Sequence, residues 1–183
     1  NQKSTNSPTR LKAVAPLVKF LWTDGYISKN GKVIHLVGYD EVNPFKEGMS
    51  KVRRGGLYGF IDLDIKESID CKYKEASCFS EELACVSKDG KYGYIDRDEN
   101  VIIDFKYERA ERFSCGRALV ETADDKFFID RNENYVFGLE YGTYASDFFE
   151  DNALRIWDES FKYGYLNKNG ELITPFKFDS ASL

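Results

Sequence analysis

A period of 34 residues constrains this chain more than any other feature of its sequence. Tyr26, Phe60, Tyr94 and Phe128 fall 34 apart, and Tyr165 follows after 37. Tyr39, Tyr73, Tyr107 and Tyr141 keep the interval in a second column. Phe45, Phe79 and Phe113 keep it in a third, with Phe148 one residue late. Three columns in one register mean that a single supersecondary unit is written several times.

Each period reads as strand, turn, strand, turn, strand. In the clearest copy "LACVSK" from Leu83 is the first strand, and Asp89-Gly90 supplies a tight turn. "YGYID" from Tyr92 is the second strand, "RDEN" turns the chain again, and "VIIDFKY" from Val101 is the third. "ERAERF" then reads as a loop that leads to the anchor Phe113, and "RRGGLYG" at Arg53–Gly59 reads as a widened hairpin turn. The high aromatic content, 15% and almost all Tyr and Phe, fits strands better than helices. Five units are expected, at about 11–48, 49–82, 83–116, 117–152 and 153–183. Residues 1–10 read as a disordered tether ahead of a single domain, 11–183.

One meander of three strands buries too little apolar surface to stand alone, so each unit must cover its neighbour. The expected fold is all-β, a tandem array of five three-stranded antiparallel meanders forming an open stack. A closed propeller-like ring is the alternative.

These residues resemble the WG-repeat family, also called KWG repeats. "ELACVSKDGKYGYIDRDENVIIDFKY" with Phe113 carries the fullest likeness, and "GLYGFIDLD", "KYGYLNKNGELITPFKF" and "GYISKNGKVI" repeat it. The likeness covers roughly residues 11–183. Tyr58, Tyr92 and Tyr163 stand where the family has its signature Trp. Phe127 is followed by Phe128 with no Gly, so that copy is expected to be locally distorted. The resemblance implies a bacterial β-repeat protein; it implies no shared chemistry and carries over no catalytic residue.

Several function classes are disfavoured. A net charge of −5 argues against nucleic acid, which needs a dense basic stripe. The densest basic cluster, Lys51-Val52-Arg53-Arg54, reads as a solvated face. No apolar run reaches the roughly 20 residues of a membrane-spanning helix. The chain opens on "NQKSTNSPTR" without an initiator Met, which suits a start removed by design or a tether behind a cleaved signal or lipid anchor. The compartment therefore stays open between the cell envelope, as a periplasmic or surface lipoprotein, and the cytoplasm.

No catalytic, cofactor or metal site is expected. Cys71, Cys78, Cys85 and Cys115 lack the close pairing of a zinc site and read as core thiols, with disulfides left open. The single His, His35, shares a column with Ile69 and Ile103 and reads as structural. Asp96-Arg97-Asp98-Glu99-Asn100 begins like a calcium loop but has Val101 at the sixth place and Tyr107 at the twelfth, so it reads as a hairpin turn.

The remaining candidates are partner-binding. Trp22 and Trp157 stand at places where sibling units carry Gly, Asp, Arg or Lys, and Trp dominates binding hot spots. End-capping is the competing reading, since both belong to terminal units. Asp147, Glu150, Asp151 and Asp158 concentrate negative charge beside Trp157. The expected function is a non-catalytic module that binds another protein, in a specialised form an immunity-type protein that neutralises a basic toxin domain. An envelope module that binds glycan or cell-wall polymer is the alternative, and a cryptic hydrolase is the weaker one.

Overall fold

Glycine and aspartate place the hairpins. Gly55 and Gly56 adopt φ of 59° and 83°, and Asp89-Gly90 adopt 52° and 80°, so both first turns are two-residue loops of the primed kind. The expected widened turn at Arg53–Gly59 is therefore tight: two successive glycines accept left-handed backbone without steric cost, and the strands close directly on them. The second turns share another device. Asp96 Oδ1 accepts the backbone N–H of Asp98 at 3.0 Å and of Asn100 at 2.8 Å, and Asp62, Asp130 and Asn167 do the same in their own units. These oxygens hold backbone, as the turn reading requires.

The computed structural model describes residues 25–27, 33–140, 142–146 and 152–179. The expected tether, Trp22, Tyr141, Asp147, Phe148, Glu150 and Asp151 lie outside the described residues. Among the latter there is no helix. The strands are β1 Gly25–Ile27 and β2 Val33–His35; β3 Glu41–Val42, β4 Met49–Arg54, β5 Leu57–Asp62 and β6 Glu67–Tyr73; β7 Ala84–Lys88, β8 Lys91–Ile95 and β9 Val101–Tyr107. They continue as β10 Arg109–Ala110, β11 Ala118–Glu121, β12 Lys126–Ile129 and β13 Tyr135–Gly138, then β14 Thr143–Ala145, β15 Ala153–Asp158, β16 Tyr163–Asn167 and β17 Leu172–Phe178.

The fold is all-β, a tandem series of antiparallel meanders, and among the described residues no sheet closes on itself. Strand order follows chain order in every sheet: β1-β2, β3-β4-β5-β6, β7-β8-β9, β10-β11-β12-β13 and β14-β15-β16-β17. Each three-stranded meander from β4 and β11 onward gains a short outer strand from the segment ahead of it, as does that from β15; before β7 the same place holds an isolated bridge, Ala76 to Val86. Arg109-Ala110, expected in a loop, is thus a two-residue strand paired with Glu121 and Val120.

The signature Gly has a steric cause. A Cβ on Gly93 would stand 2.7 Å from the Ile103 carbonyl oxygen and 3.0 Å from Asp104, and one on Gly164 2.8 Å from the Thr174 oxygen. Opposite each of these glycines the third strand bulges: Tyr92 pairs with Tyr107 and Tyr94 with Ile103, so one residue faces three. Tyr163, Tyr165, Phe178 and Thr174 repeat the pattern. In the copy without Gly, Phe127 pairs with Gly138 and Phe128 with Phe137, so the three-residue bulge is gone and only a shift between Phe128 and Ile129 remains. The expected distortion is a straightened third strand.

The chain divides into two compact units, Asn1–Lys72 and Tyr73–Leu183. In the first, Leu36, Val42, Val52 and Ile61 form a buried cluster against Tyr39, Phe45, Ile65 and Cys71. In the second, alternate residues of β7–β9 meet the next sheet: Cys85, Tyr94, Ile103 and Tyr107 pack with Ala110, Phe113, Ala118, Val120 and Ile129. The opposite face of that sheet, with Leu119 and Phe128, packs on Leu154, Ile156 and Leu166 of the last. Phe79 and Phe113 are both buried, as anchors of one repeat should be. The Tyr107 hydroxyl donates to Glu133 in the turn of the following sheet at 2.8 Å.

Candidate functional site

Side chains in β14–β17 alternate between two faces. Leu154, Ile156 and Leu166 point into the core shared with the preceding sheet, so Trp157 and Tyr163 occupy the other face. Strand register then aligns four rings in one cross-strand row: Tyr144 opposite Trp157, Trp157 opposite Tyr163, Tyr163 opposite Phe178. The Tyr144 and Trp157 ring centroids are 6.0 Å apart with planes at 16°, and those of Trp157 and Tyr163 are 6.2 Å apart at 44°. Tyr144 is 50% exposed and Phe178 38%, while Trp157 and Tyr163 are half-buried.

The same row is charged or mixed elsewhere. Pairing aligns Glu41, Arg53 and Tyr58 in one sheet, Ser87, Tyr92 and Tyr107 in the next, and Arg109, Glu121 and Lys126 in the third. By register the siblings of Trp157 are Arg53, Ser87 and Glu121, one residue away from the column that spacing alone suggests. Only in the last sheet, among the described residues, is every member aromatic.

The polar tips of the row are open. The Tyr144 and Tyr163 hydroxyls and the Trp157 indole N–H make no hydrogen bond among the described residues. Of the other tyrosine hydroxyls, those of Tyr58 and Tyr135 are also open among the described residues, whereas Tyr39 donates to Glu67, Tyr73 to Glu99 and Tyr94 to the Glu111 carbonyl, at 2.7–2.8 Å. Burial, then the bond to Glu67, pushes the Tyr39 phenol up to about 12. Burial also raises the Cys85 thiol, which lies 3.2 Å from the Ala110 carbonyl oxygen, and a thiol held neutral is a poor nucleophile.

Charge frames the row asymmetrically. Asp158 Oδ1 accepts the N–H groups of Ser160 and Lys162 at 2.9 and 3.0 Å, so this carboxylate caps a turn. The Glu159 side chain lies over Gly142, its carboxylate oxygen 3.4 Å from where a Cβ would stand. At the far end Lys177 Nζ sits 5.2 Å from the Phe178 ring centre, and Lys162 pairs with Asp179. In the turn between β15 and β16, Phe161 projects with 72% exposure at φ of 57°, a left-handed conformation that a bulky side chain rarely adopts.

Of the residues expected to bind a partner, Trp157 and Asp158 are described and adjoin one another; Trp22, Asp147, Glu150 and Asp151 are outside the described residues. Tyr144, Tyr163 and Phe178 complete the row, Phe161 stands exposed in the adjoining turn, and none of the four was singled out by sequence reasoning. Two open grooves of about 190 and 200 Å³ flank Arg109, Ala110 and Glu111. Both fall short of the roughly 300–1,000 Å³ usual for small-molecule sites. Among the described residues no group of three or more His, Cys, Asp or Glu has the arrangement of a metal site, and no helix is long and apolar enough to cross a membrane. Cys71, Cys78, Cys85 and Cys115 are free thiols.

Among solved structures, BamB from Moraxella catarrhalis is similar at 8% identity and a TM-score of 0.47, over 88% of this chain and 63% of that one. Hsv2p of Kluyveromyces lactis is similar at 9% identity and 0.48, over 79% and 58%. A chain of the S. cerevisiae complex of Dbp5 with Nup159, Gle1, IP6 and ADP is similar at 12% and 0.51, over 79% and 45%, a likeness of fold alone. The chain thus spans under two thirds of each of these structures. No curated protein matches it in sequence. The family described as WG containing repeat matches residues 25–58, 58–92, 92–127 and 163–182, with the gap falling on the copy whose Gly is replaced. With its tandem meanders, its Tyr-Gly strands and these matches over more than half its length, the chain belongs to the WG-repeat family.

Proposed function

We propose that this β-repeat protein is a non-catalytic module that binds another protein, and that the aromatic row of its last sheet is the contact surface. The observation that supports this is the replacement of a charged or mixed row by Tyr144, Trp157, Tyr163 and Phe178 on a partly exposed face. Large aromatics with reachable polar tips carry much of the energy of protein interfaces. The perturbed groups elsewhere, Tyr39 and Cys85 among them, are engaged in structural contacts, and the open groove that Cys85 borders, about 200 Å³, is below the usual size of a small-molecule site.

The immunity-type form of this reading draws on Asp147, Glu150 and Asp151, outside the described residues, whereas Asp158 already caps a turn. The row rather than the acidic stretch therefore supports binding. Stacked, half-exposed rings also favour the glycan reading, because sugar faces lie on aromatic platforms. Affinity capture from the source cell with the wild-type chain and with Trp157→Ala separates them. A protein captured by the wild type and at least tenfold depleted with the variant is the expected result. Retention on peptidoglycan instead, or capture indifferent to Trp157, would replace the proposal.

A further inference from the structure

We infer that the row Tyr144–Trp157–Tyr163–Phe178 receives an extended, proline-rich peptide segment with a basic residue at its Tyr144 end. The inference rests on the protein-binding reading above and names the chemistry of the partner.

Three observations converge. The first is spacing. Ring centroids along the row are 6.0 and 6.2 Å apart. A polyproline II strand rises about 3.1 Å per residue with three residues per turn, so about four residues run the length of the two steps, and two residues of each turn can lie against the rings. Its pyrrolidine rings present flat apolar faces, and aromatic-lined surfaces are the usual receptors of such segments.

The second is hydrogen-bond complementarity. A polyproline II segment has no internal hydrogen bonds and Pro has no N–H, so it offers carbonyl acceptors. The row offers donors: the Tyr144 and Tyr163 hydroxyls and the Trp157 indole N–H, none of them engaged among the described residues. The hydroxyls of Tyr39, Tyr73, Tyr107 and Tyr94, by contrast, are spent on Glu67, Glu99, Glu133 and the Glu111 carbonyl. Three open tips side by side in one cross-strand row mark a place where the bonds are made to something else.

The third is charge. Two of its three sibling rows carry charge, at Glu41 and Arg53 and at Arg109, Glu121 and Lys126, and this row carries none, which suits an uncharged run of residues. Its two ends differ in sign, with Glu159 beside the Gly142–Tyr144 strand and Lys177 beside Phe178. Glu159 makes no ion pair or hydrogen bond among the described residues, and Asp158 adds a second negative charge next to it. A cationic residue of the peptide belongs at that end, which fixes the direction in which the segment lies.

Fluorescence titration of the full chain tests this with a synthetic twelve-residue peptide carrying Pro-x-x-Pro repeats and one terminal arginine. The controls are the same peptide with alanine for proline, and chitohexaose. Saturable binding is expected for the proline peptide, at least tenfold weaker for the alanine analogue. The Tyr144→Phe/Tyr163→Phe double variant keeps both rings and the fold, and is expected to bind about tenfold more weakly. Glu159→Gln is expected to lose about threefold and much of the salt dependence. No saturable change with the proline peptide, equal affinity in these variants, or displacement by chitohexaose would overturn the inference. If the Trp157-dependent protein of the capture experiment persists while the peptide is silent, the occupant alone is wrong. If neither depends on Trp157, the binding surface falls too.

Discussion

Phe161 shows how one residue can set stability against contact. It stands in left-handed backbone at φ of 57° with its ring mostly in solvent, so the fold gains little from its side chain and holds a strained torsion. Such a conformation costs a non-glycine residue about 1 kcal/mol. Phe161→Gly is expected to raise stability by about 0.5–1 kcal/mol in urea unfolding, less than the full strain because glycine gains freedom in the unfolded chain. The same variant should weaken partner capture, since it removes a ring from the edge of the aromatic row; unchanged stability would show that the turn relaxes around Phe. At this scale the sequence revealed Trp157 and little more of the site. Its siblings are polar, so it stands out in any repeat comparison. Tyr144, Tyr163 and Phe178 belong to columns or loops where a ring draws no notice, and only cross-strand pairing brings them to Trp157. Phe161 sits in a turn whose conformation has no sequence signature when Gly is absent.

Among the elements, the long strands were legible because each carries a column of the repeat, and Met49, Ala84, Ala118 and Ala153 begin strands close to the expected unit starts. The short outer strands were not, since two residues such as Arg109-Ala110 have no periodicity to read and owe their pairing to the neighbour they meet. The bulge opposite the signature Gly was equally hidden, though its cause is local. Backbone of the third strand occupies the place of the missing side chain, 2.7 Å from a Cβ on Gly93 and 2.5 Å from one on Gly59. Gly93→Ala should therefore force β9 to shift and cost about 3 kcal/mol by chemical denaturation, an overpacking effect. Gly138→Ala serves as its counterpart, because the nearest obstacle is the Tyr135 hydroxyl at 3.3 Å, the end of a movable side chain. A change within about 0.5 kcal/mol is expected there. Equal effects at the two positions would show that the close approach of β9 is not what requires the glycine.

For the molecule as a whole, stability should be distributed along the repeats rather than concentrated in one centre. In the unit Tyr73–Leu183 the sheets share cores only in sequence: one cluster joins β7–β9 to β10–β13, and another joins β10–β13 to β14–β17. A repeat array of this kind behaves approximately as a chain of nearest-neighbour interfaces. Phe113 tests the idea, because it is fully buried in the first of these clusters, its ring 4.9 Å from that of Tyr94 at 60°. Phe113→Ala removes a large side chain from a packed site and should cost about 3–5 kcal/mol. The loss is expected to appear unevenly in hydrogen exchange. Amides of β7–β9 and β10–β12 should lose protection first, whereas β15 and β16, whose inward side chains Leu154, Ile156 and Leu166 belong to the second cluster, should keep most of theirs. Equal loss across all these strands would show that the unit unfolds as a single cooperative block. In that case the repeated sequence would record how the chain arose, while its energetics would be those of an undivided core.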